Sequence, residues 1–139
     1  MWTCPQCGRA FAAVNQTHTC APLRDLAYHL DGKPPEIAAI VQAVIAAAER
    51  CGPLTVLPEK TRIALAARMS FAALIPRRRW VDGHVVLARR LEDPRFTRIE
   101  TFSPRNHLHA FRLARAEEVD GQVEAWLREA YDVGMQRHR

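Results

Sequence analysis

The sequence predicts an α+β fold, with two amphipathic helices packed on one face of an antiparallel sheet of about five or six strands. Two observations predict it. Apolar residues recur at helical spacing near both ends of residues 32–139, and they alternate with a period of two between residues 54 and 113. Helices that flank a meander in this way favour packing on one face of the sheet. A cysteine-rich tip (residues 1–21) and a connector (residues 22–31) precede this domain (residues 32–139).

Each predicted helix has a clear apolar stripe. Pro34 and Pro35 suit the start of the first helix, and Gly52 and Pro53 end it. The second helix should end near Gly134, and we find no good N-cap residue ahead of it. The stripes consist of Ile37, Ile40, Val41, Val44, Ile45 and Ala48 in the first helix, and of Val119, Val123, Trp126, Leu127 and Ala130 in the second. The connector is expected to form a short helical turn at Leu23, Leu26 and Leu30.

The strands are predicted from alternating side chains. Asp82-Gly83 is the kind of dipeptide that favours a tight hairpin, so a turn is expected there. Residues 89–94 are read as a loop. The alternating sets are Ile63, Leu65 and Ala67; Phe71, Ala73 and Ile75; Val85 and Leu87; Thr97, Ile99 and Thr101; and the run from His107 to Leu113.

Composition excludes several classes of protein. A chain of 139 residues that is 48% hydrophobic and 25% charged is typical of a globular domain. No apolar run reaches the roughly 20 residues that a membrane span needs, and the first residues lack the pattern of a secretory signal. Four cysteines, three of them within the first 20 residues, indicate a metal site before a disulfide framework. We therefore expect a cytoplasmic protein that does not enter the membrane.

Charge is unevenly distributed along the chain. The net charge is +5, yet residues 60–115 hold 13 Lys and Arg against 4 Asp and Glu. A basic block of this kind favours an anionic partner. The alternative is the amino-acid usage of a high-GC genome together with a solvated basic surface, because 18 of the 20 cationic residues are Arg.

The tip has the spacing of a zinc knuckle, with Cys4, Cys7, His18 and Cys20 as the predicted ligands. Two thiolates three residues apart can hold one metal ion when the chain turns sharply between them. His18 and Cys20 are awkwardly spaced, because side chains two residues apart point to nearly opposite sides of a helix, so the chain must kink near Thr19 for both to bind one metal ion. His29 or Cys51 could replace one ligand, and free thiols or an accidental disulfide are the alternative to zinc. No acidic residue that could act as a general base lies in the tip, so this Zn²⁺ is expected to be structural.

The basic sheet is the second candidate site. The run from Arg77 to Trp80 suits phosphate contacts beside a stacking platform, although Trp80 could instead pack in the core. If the sheet is a meander, cationic residues of its first and last hairpins could converge on one face. His107 and His109 should face the same side of their strand. The predicted anion-binding or nucleic-acid-binding residues are Lys60, Arg62, Arg68, Arg77, Arg78, Arg79, Trp80, Arg105 and His107.

Several segments resemble an uncharacterised bacterial family, known only as a domain of unknown function. Besides the cysteine-rich tip, they are residues 31–36, 58–64, 76–79, 102–105 and 126–131, which spread over most of residues 25–134. The resemblance implies a compact α+β domain and supplies no activity. It also implies that Lys60-Thr61, Arg77-Arg78, and Arg105 with His107 are places to look for a ligand.

Three functions are compatible with these observations. The first is a nucleic-acid-binding module, for DNA or RNA, that uses the zinc knuckle and the Arg-rich sheet. The second is a sensor or adaptor that binds a small anionic metabolite or a protein partner. An enzyme with His107 or His109 as an acid–base group is third, because the sequence contains no triad, phosphate loop or paired carboxylates. We expect a binding protein and not an enzyme.

Overall fold

The fold was described from a computed structural model, which places residues 2–5, 10–11, 14 and 24–137. At the N-terminus, strand β1 (Trp2–Thr3) pairs antiparallel with β2 (Ala10–Phe11). Three α-helices follow in the described residues: α1 (Leu26–Leu30), α2 (Pro35–Glu49) and α3 (Gly121–Gly134). The predicted α+β class is confirmed, and α1 is the short helical turn expected in the connector at Leu26 and Leu30, whereas Leu23 lies outside the described residues.

The main sheet contains six antiparallel strands, the upper of the two numbers predicted. They are β3 (Thr55–Pro58), β4 (Ile63–Ala66), β5 (Ser70–Pro76), β6 (Val81–Leu87), β7 (Phe96–Ser103) and β8 (Asn106–Leu113). Their order across the sheet is β3-β4-β5-β6-β8-β7. The first four strands form a meander, and β8 then lies between β6 and β7. Since β6 and β7 are both antiparallel to β8, the loop predicted at residues 89–94 runs back over the face of β8, where the Leu91 amide donates to His109 Nε2.

The helix ends follow from local chemistry. Pro35 begins α2, as the sequence predicts, and Arg50 is its C-cap. The start of α3 corrects a prediction, because Asp120 is a good N-cap: its side chain accepts a hydrogen bond from the Val123 amide. Val119 lies outside the helix, beyond a 3₁₀ turn at Ala116–Glu118. The predicted stripe was therefore extended one turn too far towards the N-terminus.

Both long helices cover the same face of the sheet and bury a single core. From α2 the core takes Ile40, Val41 and Val44, and from α3 it takes Val123, Trp126 and Leu127. On the sheet side, the predicted alternation of Phe71 with Ala73 and Ile75 is wrong. Ala72 and Leu74 join Phe71 in the core, because a register irregularity after Leu65 lets two successive residues of β5 face the helices.

Asp82-Gly83 is not a turn. Both residues lie inside β6, and the chain turns at residues 77–80 instead, where the Arg77 amide donates to the Trp80 carbonyl at 2.8 Å. Gly83 pairs with Phe111 of β8, and a Cβ at Gly83 would lie 3.0 Å from the Phe111 ring. A glycine in a strand often marks such a close approach.

The face of the sheet opposite α2 and α3 has small side chains at its centre. Paired positions across β4, β5, β6 and β8 place Ala64, Ala73, His84 and Ala110 in one row. We call this side the outer face. None of the helices in the described part of the chain is long and apolar enough to cross a membrane.

We predict that Gly83→Val lowers the free energy of unfolding by about 1–3 kcal/mol, because the added side chain overpacks against the ring of Phe111. Urea unfolding followed by circular dichroism measures the change. Gly121→Val is the matched control: no atom lies within 4 Å of its added Cβ, so we expect a change of at most about 0.5 kcal/mol. Equal losses in the two variants would contradict this account of Gly83.

Candidate functional site

Two hairpin turns bring most of the predicted cationic residues to one end of the sheet. Pro58 pairs with Ile63, and Pro76 pairs with Val81, so the β3–β4 and β5–β6 turns lie at the same end. Arg112, close to the end of β8, pairs with Asp82 near this end. We call this group the basic end: Lys60, Arg62, Arg77, Arg78, Arg79 and Arg112.

The remaining predicted cations lie at the opposite end. Arg68 is in the β4–β5 turn, and Arg105 is in the β7–β8 turn. The seven residues of β5 separate the two ends by about 20 Å at roughly 3.3 Å per residue. The predicted convergence of the first and last hairpins on one pocket therefore does not occur.

A carboxylate organises the centre of the basic end. Asp82 lies on the outer face between Arg77 and Arg112, whose Nε atoms are 3.0 Å and 3.2 Å from its two oxygens. Burial alone would raise the pKa of Asp82, but hydrogen bonds from Arg77 and Arg112 outweigh it and hold that pKa below its ordinary value. Asp82 is therefore charged at neutral pH and fixes both guanidinium groups.

Trp80 was predicted either to offer a stacking platform or to pack in the core, and the structure shows features of both. Its side chain is half-buried, and the guanidinium of Arg112 lies 4.2 Å from the centre of its ring. The indole N–H faces Asp82 but lacks a well-aligned acceptor among the described residues. One face of the ring is thus already occupied by a cation, which leaves less of it for stacking on a base.

Of the other four cations of the basic end, only Arg62 forms an ion pair within the described residues. Arg62 pairs with Glu59 at 2.8 Å. Within the described residues, Lys60, Arg78 and Arg79 form no ion pair, and all three are exposed. The basic end thus holds six cationic side chains against the carboxylates of Glu59 and Asp82. This excess of positive charge on projecting turns attracts anions.

His84 is a polar residue that the sequence did not single out. It lies on the outer face in the row of alanines, next to the basic end. Burial lowers its pKa to about 4, and the positive charges of Arg62 and Arg98 act in the same direction. His84 is therefore neutral at physiological pH. The sequence alone did not place His84 on the outer face, because Gly83 was predicted to lie in a turn and in fact lies inside a strand.

His107 and His109 face the same side of β8, as predicted, but that side is the buried core. The Nε2–H of His107 donates to the Pro104 carbonyl at 3.0 Å, and its Nδ1 accepts from the Thr101 hydroxyl at 2.9 Å. His109 Nδ1–H donates to the His107 carbonyl, and its Nε2 accepts from the Leu91 amide at 2.9 Å. Both nitrogens of each ring are engaged, so His107 is placed with the structural residues and not with the basic end.

The metal prediction falls mostly outside the described residues. Cys7, His18 and Cys20 are not among them, whereas Cys4 is described and buried. Within the described ranges, no group of three His, Cys, Asp or Glu side chains could hold a metal ion. The two alternative ligands have other partners there: His29 Nε2 contacts the Glu59 carbonyl at 2.5 Å, and the Cys51 thiol donates to the Ala47 carbonyl at 3.7 Å.

Comparison with known proteins identifies one family. A family model described as a domain of unknown function, DUF5655, matches residues 27–134, which run from α1 to the end of α3. No curated protein and no solved structure matches the chain significantly.

The low pKa of His84 predicts a loss of stability in acid. Above its ordinary pKa of 6.5 the ring is neutral in both states; between pH 6.5 and 4 only the unfolded chain binds the proton. The free energy of unfolding should therefore fall by up to about 3 kcal/mol over this window because of His84. Urea unfolding of the wild type and of His84→Gln at pH 7, 5.5 and 4 measures the difference. An imidazole that titrates near pH 6.5 in the folded protein, by NMR, would contradict the prediction.

Proposed function

Because the chain belongs to the DUF5655 family, whose domain has no assigned function, we propose from the geometry of the basic end that it is a nucleic-acid-binding module and not an enzyme. One observation carries the proposal: Lys60, Arg78 and Arg79 project from two neighbouring turns without ion-pair partners among the described residues. Arg77 and Arg112, held by one shared carboxylate, extend the same surface.

The arrangement suits a phosphate backbone better than a small metabolite. Metabolite sites are usually enclosed clefts that bury most of the ligand. The cations of the basic end instead lie on exposed turns, where they can contact successive phosphates of an extended chain. A depression of about 470 Å³ lies elsewhere, on α3, where the three carboxylates of Glu124, Glu129 and Asp132 face the single guanidinium of Arg128. These carboxylates disfavour an anionic ligand, so the sensor reading has less support than nucleic-acid binding.

We further propose that the tip binds one structural Zn²⁺ through Cys4, Cys7, His18 and Cys20, and that it contributes a second contact to nucleic acid. The support is the spacing of these residues in the sequence. A bacterial origin and a cytoplasmic location complete this proposal, and they rest on the sequence resemblance and on the expected reduced state of the tip cysteines.

Reversing the two unpaired arginines should abolish most of the binding. We predict that Arg78→Glu with Arg79→Glu weakens binding to mixed DNA and RNA oligonucleotides at least about tenfold at low salt and reduces the salt dependence. Fluorescence anisotropy over a range of salt concentrations measures both effects.

The matched control reverses two adjacent arginines at the far end, in Arg89→Glu with Arg90→Glu. It changes the net charge by the same amount, and both side chains are exposed. If the two double variants lose affinity equally, net charge and not the basic end explains binding. If the wild type binds neither DNA nor RNA at low salt, nucleic-acid binding is wrong.

Zinc content tests the ligand set. We predict one Zn²⁺ per purified chain, lost on Cys7→Ser and retained on Cys51→Ser, because the Cys51 thiol packs at the end of α2 and donates to the Ala47 carbonyl. Atomic-emission analysis of metal content measures this. Loss of zinc in Cys51→Ser would make Cys51 a ligand, and a wild-type protein purified without zinc would remove the knuckle.

A further inference from the structure

Strand β7 presents an open edge of the sheet. In the described part of the chain, no strand lies beyond β7, and six of its eight residues are exposed. Phe102 is 64% exposed, which is unusual for so large an apolar side chain. At the other edge, the amide of Arg24 donates to the Pro58 carbonyl of β3 at 2.7 Å. The two edges therefore differ, and β7 offers unused backbone donors and acceptors to another strand.

The sequence of β7 is self-complementary. Residues 96–102 read Phe-Thr-Arg-Ile-Glu-Thr-Phe, a chemical palindrome centred on Ile99. In an antiparallel pair of two such strands, Arg98 would lie opposite Glu100 and Thr97 opposite Thr101, whereas Phe96 packs against Trp126 in the core and does not join Phe102. Each of these pairs occurs twice, because a two-fold axis passes through Ile99. Opposite charges and threonine pairs are both favourable across antiparallel strands.

We propose that β7 pairs with β7 of a second copy of this chain, joining the two sheets into one of twelve strands. The charge complementarity of Arg98 and Glu100 commits the edge to this occupant, because an unrelated strand would seldom match both charges. Within one chain the Nε of Arg98 lies 3.3 Å from Glu100, and both side chains are about half exposed. Pairing with the second copy would convert this local contact into a four-charge ladder across the two-fold axis.

Irregularities in β7 limit the strength of the dimer. The register with β8 shifts between Phe96 and Arg98 and again between Thr101 and Ser103, so the regular segment is Arg98–Thr101. Bulges at an edge restrict the length over which another strand can pair. We therefore expect a reversible dimer that dissociates on dilution. The two-fold axis would be perpendicular to the sheet, which puts the helices of both copies on one side and the two basic ends at diagonally opposite corners.

A charge-swap series tests the interface. Sedimentation velocity of the full chain in reductant, over a range of protein concentrations, should show a monomer–dimer equilibrium. Arg98→Glu alone, or Glu100→Arg alone, puts like charges opposite each other twice and should weaken dimerisation at least about tenfold. The double variant Arg98→Glu with Glu100→Arg should restore it. Arg90→Glu is the control, with the same change of charge at an exposed site outside β7.

Every outcome of this series either supports or overturns the pairing of β7 with β7. Loss of the dimer in the single variants and its return in the double variant support β7 pairing. A monomer at every concentration, a dimer that no variant weakens, or a double variant that stays as weak as the singles overturns the proposal. Circular dichroism confirms that the variants are folded. Because nucleic acid is absent from this assay, its result is independent of whether the basic end binds phosphate.

Discussion

The arrangement of the last three strands depends on the close contact between Gly83 and Phe111. Only a residue without a side chain lets the Phe111 ring lie against β6. Trp126 of α3 then packs 5.5 Å from the Phe111 ring and 4.5 Å from that of Phe96, measured between ring centres. The guanidinium of Arg95 lies 5.3 Å from the centre of the Trp126 ring and also reaches the carboxylate of Asp120 at the start of α3. This chain of contacts joins β6, β8, β7 and α3.

The position of the cations follows from the alternation of turns in an antiparallel meander. Successive turns lie at opposite ends of such a sheet, so the β3–β4 and β5–β6 turns share an end that the β4–β5 turn does not. Cations that are close in sequence, such as Arg62 and Arg68, are therefore far apart, whereas Lys60 and Arg78 become neighbours across the sheet end. Ala64 and Ala73 at the centre of the outer face are buried, so the exposed turns, where the cations lie, are the part of this end left for partners.

Periodicity predicted the sheet, α2 and the end of α3, because a one-sided core imposes the same pattern along each element. Local chemistry predicted less. Gly83 was predicted to form a turn because a glycine after Asp favours one. In the structure, a glycine is needed at this position because the ring of Phe111, 28 residues later in the chain, packs against it. The irregularity near Phe71 inverted the faces of β5, and His107 was assigned to the site although both its nitrogens bind within the hairpin. The sequence predicted which cationic residues could bind an anion. It could not predict that they are divided between the two ends of the sheet, because that depends on the strand order.

The insertion of β8 between β6 and β7 also constrains how the chain can acquire its structure during synthesis. Within the main sheet, β7 pairs only with β8, yet it is made first. While residues 106–113 are still inside the ribosome, the nascent chain therefore displays both the edge of β6 and the whole of β7. The packing of Trp126 on Phe96 and Phe111 comes later still, because α3 follows both strands in the chain. The C-terminal third of the domain should consequently fold as one late cooperative unit once α3 has left the ribosome, with the meander β3–β6 as its template.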